Sequence, residues 1–261
     1  MPFESKPRVK FQKNPLIEVA SELVFVSPVE DMEQGEKLVS LHTKIKDKLP
    51  LFKKAKSVAL HVDTKDQSVS QVESVLYEFA SLDETVKVFI EPEKLTFLTS
   101  DYQSKEEFFS YIDYVYEALR SLELTNPIKR VALRYKDVIR RSQLGNEFIN
   151  TEWSELIRES LISIFKDNDL IENILGTQSN FTIKLNGIDR NAKMSAQYGV
   201  VEHNETKEQC FMIDSEFYTD GVFEYDTASK FLQEANIKAR DFFQWCIKPK
   251  LYEALEPIDK E

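Results

Sequence analysis

Residues 126–140 read Asn126-Pro127-Ile128-Lys129-Arg130-Val131-Ala132-Leu133-Arg134-Tyr135-Lys136-Asp137-Val138-Ile139-Arg140. From Ile128 onward, apolar and polar residues alternate. A period of two is the signature of a strand with one face in a core. Arg130, Arg134, Lys136 and Arg140 share one face, with Lys129 and Arg141 nearby and Asp137 as the only acid. The start resembles an earlier stretch: Asn14-Pro15-Leu16-Ile17-Glu18-Val19-Ala20 lies beside Asn126 to Ala132 at an offset of 112 residues. Residues 16–26 alternate too, with Ile17, Val19, Leu23 and Phe25 on one side and Glu18, Ala20 and Glu22 on the other. Asn-Pro before a strand is also ordinary turn chemistry.

If the two stretches are related, Glu18 corresponds to Arg130 and Glu22 to Arg134. Two such strands set about a pseudo-twofold axis would pair the acids of one with the bases of the other. Each facing pair of opposite charge contributes roughly 0.2–1 kcal/mol.

Outward from these strands the pattern repeats. The spacing of Met32, Leu38, Leu41 and Ile45 predicts a helix over 31–49, stopping before Pro50. Strand-like runs follow at 57–63, 71–80 and 86–99, the last a hairpin with Pro92 in its loop. A helix runs from Ser104 to about Leu122. It opens on the capping-box pattern Ser104 to Glu107 and carries the stripe Phe108, Ile112, Val115, Leu119. In the second half, a helix is expected over 151–166, strands at 180–187, 192–202 and 208–218, and a long helix over about 227–254 that Pro249 kinks or interrupts.

The expected fold is therefore α+β, a large, mostly antiparallel sheet with helices on one face. Residues 1–125 and 126–261 form two β-α-β(3–4)-α halves that share one continuous sheet. That order resembles the saddle-shaped TATA-binding-protein type of fold, a likeness that does not by itself carry DNA binding.

The 261 residues include 34 Lys and Arg against 45 Asp and Glu, a net charge of −11. Residues 1–125 carry 16 basic and 22 acidic side chains, and 126–261 carry 18 and 23, so both halves are acidic. Such a balance argues against indiscriminate nucleic-acid binding. Arginine is uneven, with Arg8 and Arg120 in the first half and seven in the second. Only 6 glycines are present, none within three residues of another. That excludes phosphate-cradling glycine loops. No run of 18 apolar residues exists, so no spanning helix is expected. The N-terminal stretch lacks the apolar region of a secretory signal. Cys210 and Cys246 suit a reducing compartment. The expectation is a cytoplasmic protein without a membrane or a cofactor.

Three constellations are candidates for chemistry. The basic strand could contact nucleic acid or a nucleotide, or pair internally with Glu18, Glu22, Asp214 or Glu216. Asp214, Glu216 and Tyr218 point the same way in a strand. The two carboxylates could hold a divalent metal or work as an acid/base pair, or meet Arg130 and Arg134 across the sheet. Phe242, Phe243 and Trp245 are adjacent on the last helix and cannot all face one core. They are candidates for a subunit interface, where Trp and Phe are enriched. His42, His61 and His203 match no zinc spacing, and no nucleophile elbow is present.

Three segments carry a family resemblance: Pro15 to Phe25, Arg130 to Ile139 with its Arg-x-x-Leu-Arg-Tyr core, and Ile213 to Tyr218. Together they resemble a sporadically distributed prokaryotic family of about 250-residue proteins without assigned function, long enough for one large domain or two small ones. The resemblance implies that Arg130, Arg134, Tyr135, Asp214 and Glu216 define the fold or a site. It implies no catalytic set. Scattered distribution implies an accessory system such as phage defence or a toxin–antitoxin module. The expected function is a non-enzymatic binding or assembly protein with a protein partner or self-association as a homodimer. A nucleic-acid or nucleotide binder using 129–141 is the alternative, and a metal-dependent hydrolase using Asp214 and Glu216 the second.

Overall fold

The computed structural model describes residues 3–30, 35–62, 69–166, 174–187 and 191–259. Its elements are, in chain order, β1 (Val9–Phe11), β2 (Leu16–Phe25), α1 (Glu36–Ile45), β3 (Leu51–Val62), β4 (Val69–Ala80), β5 (Val86–Glu91), β6 (Lys94–Thr99), α2 (Lys105–Arg120) and β7 (Ile128–Ile139). There follow the short α3 (Arg141–Leu144) and α4 (Trp153–Leu156), then β8 (Ser179–Lys184), β9 (Lys193–Glu202), β10 (Gln209–Phe223), α5 (Tyr225–Cys246), α6 (Pro249–Ala254) and β11 (Pro257–Asp259). The fold is α+β, with a large antiparallel sheet and helices on one face. Hydrogen-bonded neighbours run β3-β4-β5-β6-β2-β7-β10-β9-β8.

The chain divides into two compact units. The first is Met1–Val19, Ala132–Thr219 and Ser229–Glu261; the second is Ala20–Val131 and Asp220–Ala228. In the second unit β4, β5 and β6 form a meander, closed by a two-residue turn between Glu91 and Lys94. Its core joins Leu23 and Phe25 to Leu38, Leu41 and Ile45 of α1 and Ile112, Val115 and Leu119 of α2, all buried. The Ser104 hydroxyl accepts a hydrogen bond from the Glu107 amide at 3.1 Å and caps α2 as its sequence predicts. Met32 lies outside the described residues, and α1 begins after Gly35.

In the first unit β9 pairs with β10 and β8 with β9, all antiparallel. Phe211, Ile213 and Phe217 of β10 and Leu232, Ala235 and Phe242 of α5 are all buried, and the Phe217 and Phe242 rings lie 6.5 Å apart. Burying one such aromatic contributes roughly 1.5–3 kcal/mol.

Two expected helices are cut by one non-local contact. Ile157 adopts extended φ and ψ and bridges Ile247 antiparallel. The Arg158 amide donates to the Cys246 carbonyl, and the Lys248 amide donates to the Leu156 carbonyl, both at 2.8 Å. Local helical bonds at 156–158 and 246–248 give way to these strand-like ones. So 151–166 is a four-residue helix followed by two single 3-10 turns, and the final helix splits into α5 and α6 with Pro249 in the first turn of α6. Pro at that position loses no helical hydrogen bond. Ile17, expected on the core side of β2, is instead 46% exposed.

Gly199 is required by a close approach. Its φ is +154°, and a Cβ there would stand 2.0 Å from the Thr177 carbonyl oxygen. The strand thereby accepts the 174–178 segment, whose Thr177 bonds Val200 through both backbone and side chain at 2.9 Å.

Candidate functional site

The non-core face of the first unit's strands carries the sequence candidates. Strand alternation places Arg134, Lys136 and Val138 of β7 beside Met212, Asp214, Glu216 and Tyr218 of β10, away from buried Leu133, Tyr135, Ile213 and Phe217. Across from β10, the register sets Gln197 opposite Asp214, Ser195 opposite Glu216 and Lys193 opposite Tyr218. Thr182 of β8 shares a hydrogen bond with Ser195 at 2.8 Å. The face is polar and charged.

Arg134 grips Asp214 with two parallel bonds, Nε to Oδ1 at 2.7 Å and Nη2 to Oδ2 at 2.5 Å. Asp214 is 10% exposed and Arg134 is 46% exposed. Hydrogen bonding to Asp214 holds the guanidinium above its ordinary pKa, with further attraction from Asp214, Glu18 and Glu216. Because both Asp214 oxygens are engaged, the carboxylate is a counter-ion rather than a free base. Among the described residues no group of three His, Cys, Asp or Glu side chains could hold a metal ion.

Arg140, at the end of β7, donates to Glu208 at 3.2 Å. Glu208 also accepts from the Ser142 hydroxyl at 2.7 Å and amide at 2.9 Å. Burial raises the Glu208 carboxyl, but the Ser142 bonds and Arg140 outweigh it and leave the pKa below the ordinary value. Lys193 lies over the Tyr218 ring at 5.6 Å. In the second unit, Arg130 approaches Asp220 at 3.4 Å and Glu22 at 3.8 Å. Of the residues singled out in sequence, then, Arg134 and Asp214 come together, and Arg130 approaches Glu22 and also Asp220.

Lys136 differs. Among the described residues it makes no ion pair or hydrogen bond. It lines a cleft of about 560 Å³ together with Ile17, Val138, Arg140, Glu202, His203 and Glu205.

The other face of β7 holds a group the sequence left unassigned. Asp137 is 6% exposed. Burial, with a contribution from the Asp214 charge, pushes its carboxyl up to about 8. At neutral pH this side chain is a neutral acid in the core. Burial also raises the Cys246 thiol well above its usual value, with Asp137 adding to the effect. Alternation alone places Asp137 on Tyr135's side, and this was the signal available.

The aromatics of α5 are met by the chain's own N-terminal segment. Phe3 packs on Phe242 at 5.1 Å and on Trp245 at 5.2 Å, and Phe11 on Phe243 at 6.0 Å. Arg158 covers Trp245 at 4.5 Å. No protein-family model matches this chain, and no curated protein matches it.

Proposed function

We propose that this protein is a non-enzymatic binding protein that meets a protein partner through the open sheet face of its first unit. The observation that carries the reading is the Arg134–Asp214 pair. A bidentate pair with one nearly buried member fixes the orientation of charged groups before any partner arrives, which lowers the ordering cost of association. It also uses up the carboxylate that a hydrolase would need. The cleft lined by Lys136 and Met212 adds a recess for a partner to enter. The partner belongs to an accessory system such as phage defence or a toxin–antitoxin module, as the family resemblance implies. A second copy of the chain is the other occupant of the same kind.

We also read the chain as two related halves at the 112-residue offset, in the TATA-binding-protein-like order. The Val138 amide donates to the Pro15 carbonyl and the Val26 amide to the Pro127 carbonyl, both at 2.8 Å. Adding 112 to one partner and subtracting it from the other turns each bond into its counterpart. The same exchange turns Glu22–Arg130 into Arg134–Glu18, both of which interact.

The test is recovery of the tagged chain from its native host, with mass measurement of the complex. The wild type should elute with a partner or as a dimer. Thr182→Arg, an exposed change on the open face, should release the partner while shifting stability by no more than about 0.5 kcal/mol. A strict monomer, or a partner retained by the variant, would overturn the reading.

A further inference from the structure

Strand β8 ends the sheet and pairs only with β9 among the described residues. Its hydrogen-bonding parity is fixed beyond both ends. The Leu185 amide donates to the Ala192 carbonyl at 2.8 Å, and the Thr177 amide to the Val200 carbonyl at 2.9 Å. Both bonds continue the register that sets Phe181 opposite Ala196 and Ile183 opposite Met194. Antiparallel strands alternate bonded with non-bonded pairs, so Phe181 and Ile183 spend their backbone groups on β9. Asn180, Thr182 and Lys184 therefore turn their N–H and C=O groups away from β9, and all three residues are exposed. No other backbone group meets them among the described residues. An unpaired row of this kind is a template for one more strand.

The residues of β8 select the occupant. A second copy, antiparallel about a twofold axis at Thr182, sets Thr182 opposite Thr182 and Asn180 opposite Lys184. These are the bonded pairs, so every outward N–H and C=O of both strands finds a partner. The pairs between them set Phe181 of one copy against Ile183 of the other. Thr–Thr and aromatic–β-branched pairs are favourable across strands, and no like charges face each other. The chain carries a net charge of −11, yet residues 174–187 hold no acid. Two copies thus meet where their repulsion is least. The other edge strand, β3, shows exposed Lys53 and Lys54, a common guard against pairing, whereas β8 has a lysine only at its last position. We infer that β8 is a homodimer edge, which joins two copies into one continuous sheet about Thr182. Side chains directly opposite in such a pair share a face, so the open faces of both copies look the same way. The inference rests on the edge and not on the open-face reading.

The experiment is sedimentation of the purified full chain over a concentration series, with amide exchange read by NMR at its two ends. The mass should rise from one chain toward two. In the dimer the Asn180, Thr182 and Lys184 amides should exchange at least about tenfold more slowly, while those of Phe181 and Ile183 are protected at both ends. Thr182→Pro removes the central outward donor and no bond to β9, and should weaken dimerisation at least about tenfold. Tyr218→Ala, on the open face away from β8, should leave it unchanged. A monomer at every concentration, a dimer without added protection at 180, 182 and 184, or a full-strength dimer of folded Thr182→Pro would overturn the inference. The wild-type exchange data decide the matter even where the Pro variant fails to fold. A dimer lost in Tyr218→Ala but kept in Thr182→Pro would place self-association on the open face, which sinks this inference and spares that reading.

Discussion

Lys136 and Asp137 are neighbours in sequence and live in different solvents. Strand alternation sends Lys136 to an open cleft and Asp137 into the core beneath α5. The two faces of β7 thus handle charge in opposite ways. On the open face, charge is kept and matched, with Arg134 on Asp214 and Arg140 on Glu208. On the core face, the charge is suppressed by protonation. The lesson is that a basic stretch in sequence says little about the field a partner meets. What matters is which cations remain after the strand next door has supplied its acids.

The contrast breaks most sharply at two adjacent residues of β10. Phe217→Ala should cost about 3–5 kcal/mol, because Phe217 is fully buried. Tyr218→Ala, on the open face, should stay within about 1 kcal/mol. Urea unfolding of both variants checks this, and equal losses would show that the open face is packed.

Asp137 gives the next largest effect. The unfolded chain releases this proton near pH 4, and the folded chain keeps it until about pH 8. The unfolded state is therefore favoured progressively as pH rises through that window, and below it no penalty remains. Between pH 5 and 7 the group should lower stability by up to about 1.4 kcal/mol per pH unit. Asp137→Asn should remove this contribution and flatten the profile, which urea unfolding at pH 5, 6 and 7 measures.

Gly199→Ala should cost on the order of 2 kcal/mol, since the added methyl meets a carbonyl and the φ is unfavourable for an L side chain. A thermal melt reads it. Arg134→Met is the mildest. Solvent screening of the half-exposed guanidinium reduces the loss to about 1 kcal/mol, although Asp214 is left nearly buried and unpaired. A larger loss would mean that the open face is more shielded than its exposure indicates.

Much of this was legible in the chain. The alternation of 128–139 gives β7 and its two faces. Ser104 and Glu107 announce the cap of α2, and Pro92 the hairpin. The 112-residue offset anticipates acids meeting bases, and Glu22 does approach Arg130. The breaks at Ile157 and Ile247 were illegible because each segment keeps a good helical stripe. What cuts them is a bridge between residues 90 positions apart. The three-residue strands β1 and β11 are too short to show a period. Asp220, which takes Arg130, lies beyond the expected end of its strand, so no spacing rule pointed to it.

The central claim is that the first unit's open face is where a partner binds. The direct measurement is amine labelling of the recovered complex, read by mass spectrometry lysine by lysine. Lys136 and Lys193 should lose reactivity relative to the free chain, while Lys53 and Lys105 of the second unit keep theirs. Full labelling of Lys136 and Lys193 in the complex, or protection confined to Lys53 and Lys105, would contradict it.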